Sequence, residues 1–293
     1  LSGKLTQSER WTGEVTLTGS VEVNWPYKLI IDAGTVIHMP SSATLTVNNF
    51  VRILGTESSP VVFEAAEGAT NWSGIYLNSS GAGSTIRYAH ISDATYCIRS
   101  QGAPDEINNN RLSNCQYGVY VNSGSPDISN NLIIENAYAG IHVNNGNPQI
   151  TYNTLDQNGN YGVYFSTSVV PTITNNIITR NTTGLYDYYG KYTGGYNNVW
   201  GNGTDYSRTS AAETDISSDP QYVDAYAGDH HLLDSSPSKT ASSSGGEIGA
   251  YGNGGAPPDS DEELSTTPTL TGALTQSERW TGEVTLTGSV EVN

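Results

Sequence analysis

The chain has 293 residues, a formal net charge of −17 at pH 7 and only 12 lysines and arginines. Such an acidic balance argues against nucleic acid and anionic membrane surfaces as partners, and no apolar run approaches the ~18 residues of a membrane-spanning helix. Charged residues make up only 14% while Gly, Ser, Thr and Asn are abundant, which suits a β-solenoid with polar, uncharged flanks.

Residues 3–24 alternate strictly from Glu14: Val15, Leu17, Val21 and Val23 face one way, and Thr16, Thr18 and Glu22 the other. That is the two-residue period of a strand. Trp11 is placed to lie across the open end of a stack. No signal peptide precedes this segment, and the chain opens inside it, so residue 1 is expected not to be the native start. Short β-forming runs continue at residues 29–31, 36–37, 45–47, 51–53 and 61–63, with Ala33-Gly34-Thr35 and Ser58-Ser59-Pro60 as turns.

Residues 104–185 line up with themselves. Pro104-Asp105-Glu106-Ile107-Asn108-Asn109 returns 22 residues later as Pro126-Asp127-Ile128-Ser129-Asn130-Asn131, then as Pro148-Gln149-Ile150-Thr151-Tyr152-Asn153 and Pro171-Thr172-Ile173-Thr174-Asn175-Asn176. Asn109, Asn131, Asn153 and Asn176 share one column, and Asn114, Asn136, Asn158 and Asn181 a second. Gly118, Gly140 and Gly162 share a third, with Gly184 one place out of register. A fixed period of this length signals a solenoid. One coil cannot bury its inward face alone, so coils must stack Ile on Ile and Val on Val at roughly 4.8 Å each. Asparagines in one column can then hydrogen-bond up and down as a ladder.

These coils resemble the right-handed parallel β-helix repeat, in the pattern Pro-x-Ile-x-Asn-Asn-x-Ile-x-x-Asn-x-x-x-Gly-Ile-x-Val. The resemblance implies an all-β, right-handed parallel β-helix of about a dozen coils. Trp11-Thr12-Gly13 resembles the Trp-x-Gly that opens secreted members, and Trp72-Ser73-Gly74-Ile75-Tyr76-Leu77 resembles a further coil. Asp219-Pro220-Gln221-Tyr222-Val223, Gly228-Asp229, Ser236-Pro237 and Ile248-Gly249-Ala250 resemble the closing segment, so the resemblance covers roughly residues 3–252. The family mixes polysaccharide lyases with secreted surface proteins, so it implies fold strongly and function weakly.

Two cysteines fall in this framework. Cys97 lies in the Gly118 column and Cys115 in that of Ala137, one coil apart and about three positions apart along the coil. Two small buried thiols fit that spacing; a bridge needs Cα atoms within about 7 Å, hence a tight corner.

Past residue 185 the period loosens into a tyrosine-rich loop, followed by one more coil at residues 197–202. Residues 253–269 have the composition of a linker, with Asp259, Asp261, Glu262 and Glu263 clustered. Residues 270–293 then repeat residues 1–24, with only Ser2/Thr271 and Lys4/Ala273 differing. Three regions are therefore expected: a β-helix over 1–252, a linker over 253–269 and the start of a second copy over 270–293. A parent array with a 269-residue unit and an engineered duplication both produce this pattern.

Chemistry is sparse. Asp105 and Asp127 share a column but are followed by Gln149 and Thr172, which reads as turn polarity. Arg111 and Arg180 sit on different coils with no carboxylate cluster in their columns, and His38, His90 and His142 are isolated, while His230-His231 belongs to the closing motif. No catalytic set and no cofactor is expected; the cluster at 259–263 could hold Ca²⁺ weakly through oxygen ligands. Tyr186, Tyr188, Tyr189, Tyr192 and Tyr196 are candidates for stacking on glycans. Asn71, Asn78, Asn202 and Asn181 have the form of glycosylation acceptors, Asn181 being the poorest because its place in a ladder column is expected to turn it inward.

Solenoids leave sheet edges at their ends. With the duplication, this suggests an extracellular structural protein assembling head to tail with copies of itself into a fibre, sheath or stalk. Trp11, Val15, Leu17, Val21, Val23 and Trp280 would form the junction. Independent modules on a flexible string, and a carbohydrate-binding or lyase-like β-helix that takes cell-surface glycans, are the alternatives. Neither nucleic acid nor membrane insertion is expected.

Overall fold

The computed structural model describes residues 1–78, 83–102, 105–166, 168, 170–190 and 192–257, together with the backbone of strands Thr269–Leu274 and Thr285–Val292. The chain divides into two units, Leu1–Pro258 and Asp259–Asn293.

In the first unit, strands Gly3–Lys4, Glu9–Trp11 and Glu14–Thr16 each begin a separate sheet, and Val21–Val23 returns to the first. This three-step circuit repeats until the described residues hold one sheet of ten strands and two of nine, with every neighbouring pair parallel. The result is an all-β parallel solenoid of about nine turns. Fewer turns form than length alone suggests, because the chain stops coiling after strand Thr204–Ser207.

Register places like on like. Ile107, Ile128, Ile150 and Ile173 are successive partners. So are Leu112, Ile133, Leu155, Ile178 and Val199. All nine are fully buried. At about 1.5–3 kcal/mol for burying each such side chain, stacking supplies what an isolated coil of three short strands lacks.

In the regular coils two of the bends are one left-handed residue followed by one buried residue. Between the two nine-stranded sheets the pairs are Asn109-Asn110, Asn130-Asn131, Tyr152-Asn153, Asn175-Asn176 and Tyr196-Asn197. At the following corner they are Asn114-Cys115, Glu135-Asn136, Gln157-Asn158 and Arg180-Asn181. The stacked asparagine of the earliest such coil is therefore Asn110 and not Asn109. Asn109 takes the bend, at φ 53°, a conformation asparagine tolerates better than most residues. Asn114 is displaced from its column in the same way, and Cys115 stands there instead. Gly184 needs the opposite correction. Tyr161 pairs with Thr183 and Val163 with Leu185, which puts Gly184 level with Gly162.

The buried asparagine stacks are polarised. Asn131 Oδ1 accepts from the main-chain N–H of Asn110 at 3.0 Å and from its Nδ2 at 2.9 Å. Asn153 does the same for Asn131, and Asn176 for Asn153. The second stack runs through Asn136, Asn158, Asn181 and Asn202.

Cys97 and Cys115 form a disulfide with Cα atoms 5.8 Å apart, so the expectation of two thiols is overturned. A Cβ built on Gly118 would lie 3.2 Å from Asn136 Nδ2, one on Gly140 3.0 Å from Asn158 Nδ2, and one on Gly162 2.9 Å from Asn181 Nδ2. The glycine column thus faces the asparagine column of the next coil. One coil earlier the glycine is Cys97 and the facing asparagine is Cys115, which brings the two sulfurs together.

The closing segment does not complete further turns. Ile216 bridges to Asn198, and Tyr222–Asp224 pairs antiparallel with Asp229–Leu232. The chain then runs back along the outside of the sheet that contains Leu132–Ile134 and Ile177–Thr179. Gly249 donates to the Asn175 carbonyl, Asn130 Nδ2 donates to the carbonyls of Ala250 and Gly252, and the Ala256 N–H reaches Asn109 Oδ1. Leu132 and Ile134 pack on Ala250, and Ile177 packs with Leu232 and Ile248. The segment is a strap over an apolar outer stripe, and residues 253–257 belong to it.

In the second unit Thr269–Leu274 pairs parallel with Thr285–Val292. Gly272 partners Val290 and Ala273 partners Glu291. These are the positions, shifted by 269, of the Gly3–Val21 and Lys4–Glu22 pairs. Trp280 and the cluster Asp259, Asp261, Glu262 and Glu263 lie outside the described residues.

Candidate functional site

The outward positions of the ten-stranded sheet carry an aromatic face. Strand register sets Tyr76, Arg99, Tyr120, His142, Tyr164 and Tyr186 in one file along the solenoid. A second file contains Tyr96, Tyr117, Tyr138 and Tyr161, with ring centroids 5.2 Å apart for the first two neighbours, then 5.2 Å and 5.6 Å. Rings of the two files also meet. Tyr96 lies 5.2 Å from Tyr120, and His142 lies 4.8 Å from Tyr120 and 4.6 Å from Tyr164. All these side chains are half-buried. A polar file runs alongside: Asn122 donates to Gln101 Oε1, Asn144 to Asn122 Oδ1 and Ser166 to Asn144 Oδ1. Arg99 lies over Tyr76 at 5.1 Å, and Arg208 over Tyr188 at 4.6 Å.

Burial, with neighbouring phenols second, pushes the Tyr117, Tyr161 and Tyr164 hydroxyls above the usual phenol range. Burial also lowers His142 to about 4, and its Nδ1 is buried without a hydrogen-bond partner. The face is accordingly uncharged at neutral pH except at its arginines. Its chemistry is ring stacking flanked by amide hydrogen bonding.

The loop candidates divide. Tyr186 is not in a loop but on strand Thr183–Asp187, at the end of the aromatic file. Tyr188, Tyr189 and Tyr196 are exposed. Tyr192 packs against the core, and its hydroxyl lies within hydrogen-bond distance of two acceptors, the Ser210 carbonyl and Asp215; burial and the Asp215 charge raise it. The remaining face was readable in principle. Tyr96, Tyr117, Tyr138 and Tyr161 recur at one-coil spacing, but that signal is diluted among 19 tyrosines.

Of the supposed junction residues, Trp11, Leu17, Val21 and Val23 lie in the first unit's own core, and Val15 packs against it. Strands Gly3–Lys4, Glu9–Trp11 and Glu14–Thr16 are at the ends of their sheets, with no described strand beyond them. Asn71 is exposed and Asn78 half-exposed. Asn181 is 3% exposed. Asn202 Nδ2 is committed to Asp205 and to the Ile178 carbonyl.

A second cluster joins coil to strap. The carboxylate of Asp156, 1% exposed, receives Arg180 through both Nε, at 2.8 Å, and Nη2, and contacts His230 Nε2 at 3.0 Å. Tyr222 lies against His230 and under Arg180. Arg180 thus reaches one carboxylate of the preceding coil, Asp156, which stands level with Thr179 and points outward beneath the strap. The cluster clamps the hairpin at residues 222–232 to the solenoid. Among the described residues no group of three or more His, Cys, Asp or Glu side chains is placed to hold a metal ion, and no helix is long and apolar enough to cross a membrane.

Residues 73–218 match the family model for a right-handed β-helix region. No curated protein matches the chain.

Proposed function

We propose, for a chain that belongs to the right-handed β-helix family, that it is a non-catalytic extracellular binding module, carried in tandem copies, whose tyrosine face stacks on the sugar rings of a polysaccharide. The family includes both enzymes and structural proteins, so the reading rests on the site. Its carrying observation is the double file of aromatic rings from Tyr76 to Tyr186, bordered by Gln101, Asn122, Asn144 and Ser166. Sugars present apolar C–H faces and hydroxyl edges, and this surface offers matching ring faces and amide edges. The Cys97–Cys115 disulfide supports an oxidising compartment. The repeated pairing register of the second unit supports a tandem arrangement.

The test is a glycan array probed with the intact chain and with Y120A/Y164A. Binding to linear polysaccharides that the double variant loses supports the reading. Appearance of unsaturated sugar ends during incubation would instead indicate a lyase.

A second reading, head-to-tail assembly, is favoured by strands Gly3–Lys4, Glu9–Trp11 and Glu14–Thr16, which have no described strand beyond them. Electron microscopy of an intact array distinguishes filaments from separate particles.

A further inference from the structure

Beyond ligand binding, the aromatic face has a property that stacking on sugars does not use. From Tyr76 to Tyr186 its rings follow one another without a break, and the Arg208 guanidinium spans the step from Tyr186 to Tyr188. Tyr76 lies 5.8 Å from Tyr96, and contact continues by either file to Tyr161 and Tyr164, which lie 5.5 and 5.1 Å from Tyr186. Beyond Tyr186, Arg208 stacks on both Tyr186 and Tyr188, and Tyr188 lies 5.0 Å from Tyr189. Along the files the phenols are half-buried, whereas Tyr188 and Tyr189 are 47% and 49% exposed. The His142 ring fills the place between Tyr120 and Tyr164 in the first file.

We propose that this ribbon conducts one-electron oxidation along the solenoid and discharges it at Tyr188 and Tyr189, where two copies of the chain become joined by a dityrosine bond. A tyrosyl radical inside the ribbon exchanges its hole with a neighbouring ring, and its ring carbons, on a half-buried side chain of a flat sheet face, are less open to a second protein chain than those of Tyr188 and Tyr189. At Tyr188 or Tyr189 the ring is open to a partner. Two radicals then couple through carbons ortho to their hydroxyls: two C–H bonds break, one C–C bond forms, and both hydroxyls return to phenols. The oxidant is a peroxide acting through a haem peroxidase. The two electrons and two protons released reduce one hydrogen peroxide to two waters.

The experiment treats the full 293-residue chain with a haem peroxidase and hydrogen peroxide, followed by intact mass and peptide mapping. Tyr226 provides the internal control: at 89% exposed it is far more accessible than Tyr188, yet it touches Arg180 and not the ribbon. The expected product is a dimer two hydrogens lighter than two chains, linked at Tyr188 or Tyr189. Y161F/Y164F keeps the rings in place but removes the oxidisable hydroxyls across both files, and should lower that yield several-fold at unchanged thermal stability. Linkage mainly at Tyr226, an undiminished yield in Y161F/Y164F, or no dimer at all would overturn the proposal. None of these outcomes depends on glycan binding.

Discussion

Asp215 Oδ1 accepts both the main-chain N–H of Asn197, at 2.9 Å, and its Nδ2, at 3.0 Å. Every asparagine in that stack hands two donors to the next coil, and the last asparagine has no next coil. A carboxylate from the turn that folds over the end takes them. Asp205 does the same for Asn202, at 3.2 and 2.9 Å. Negative charge at the donor end of an aligned run of amides is the arrangement that stabilises helix N-termini. It also means that the C-terminal end of both stacks is already satisfied, so a further unit is not needed there to complete them.

Removing this terminator should therefore be costly. Asp215 also accepts from Tyr206 Oη at 2.8 Å and from the Ala212 N–H at 2.9 Å. D215A is expected to destabilise the first unit by about 2–4 kcal/mol, since each stranded buried donor costs about 1–3 kcal/mol. D215N, which keeps an acceptor oxygen, should cost less. Urea unfolding followed by circular dichroism reads both.

The disulfide closes a sequence separation of 18 residues, worth about 3 kcal/mol on the chain-entropy estimate. Reduction should lower the unfolding free energy by about that amount. C97G/C115N restores the glycine and asparagine found at these positions in the following coils, and should recover part of the loss. C97S/C115S should not. Parallel thermal melts of the reduced protein and both variants make the comparison.

Acid should loosen the strap before the solenoid. Burial raises Asp156, but hydrogen bonds and charge from His230 and Arg180 outweigh it and hold the carboxyl below its usual range. A depressed folded value contributes stability that is complete above the unfolded value of about 3.9 and is lost as pH falls through the folded one. Hydrogen exchange at residues 222–232 should therefore accelerate below about pH 4, ahead of strands such as Thr154–Asp156. D156N should open the same hairpin at neutral pH, at a cost of about 3 kcal/mol for breaking a buried pair.

Gly162 tests the close approach of coils. A Cβ there would meet Ile178 Cγ2 at 2.5 Å and the Gly184 carbonyl at 2.7 Å. G162A is expected to cost about 1–3 kcal/mol through overpacking, with G68A as a control, where no atom lies within 4 Å but φ is 72°. The denaturant midpoints of the two variants decide whether crowding or backbone strain dominates.

What the residues disclosed, and what they hid, follows from how local each signal is. Ile107, Ile128, Ile150 and Ile173 repeat in the chain as they stack in space, so the coils and their inward faces were legible. A one-residue change in coil length is not visible in such a pattern. It displaced Asn109 and Asn114 from the stacks and concealed that Cys97 and Cys115 face one another. Longer-range meetings left no trace. His230 reaches Asp156 across 74 residues, and the motif that suggested closing coils folds back as a strap because Leu132, Ile134 and Ile177 are apolar on the outer side of their sheet. The tyrosine face lies between these cases: periodic, but one of several uses of tyrosine in the chain.

The central claim is that the tyrosine face is the binding surface. Affinity electrophoresis through gels containing dissolved polysaccharide measures it directly, with the intact chain and Y120A/Y164A run side by side. The account predicts that at least one linear polysaccharide slows the intact chain and that the variant, with its disulfide and melting temperature unchanged, migrates as in a plain gel. Equal retardation of both proteins, or free migration of the intact chain through every polysaccharide tried, would contradict it.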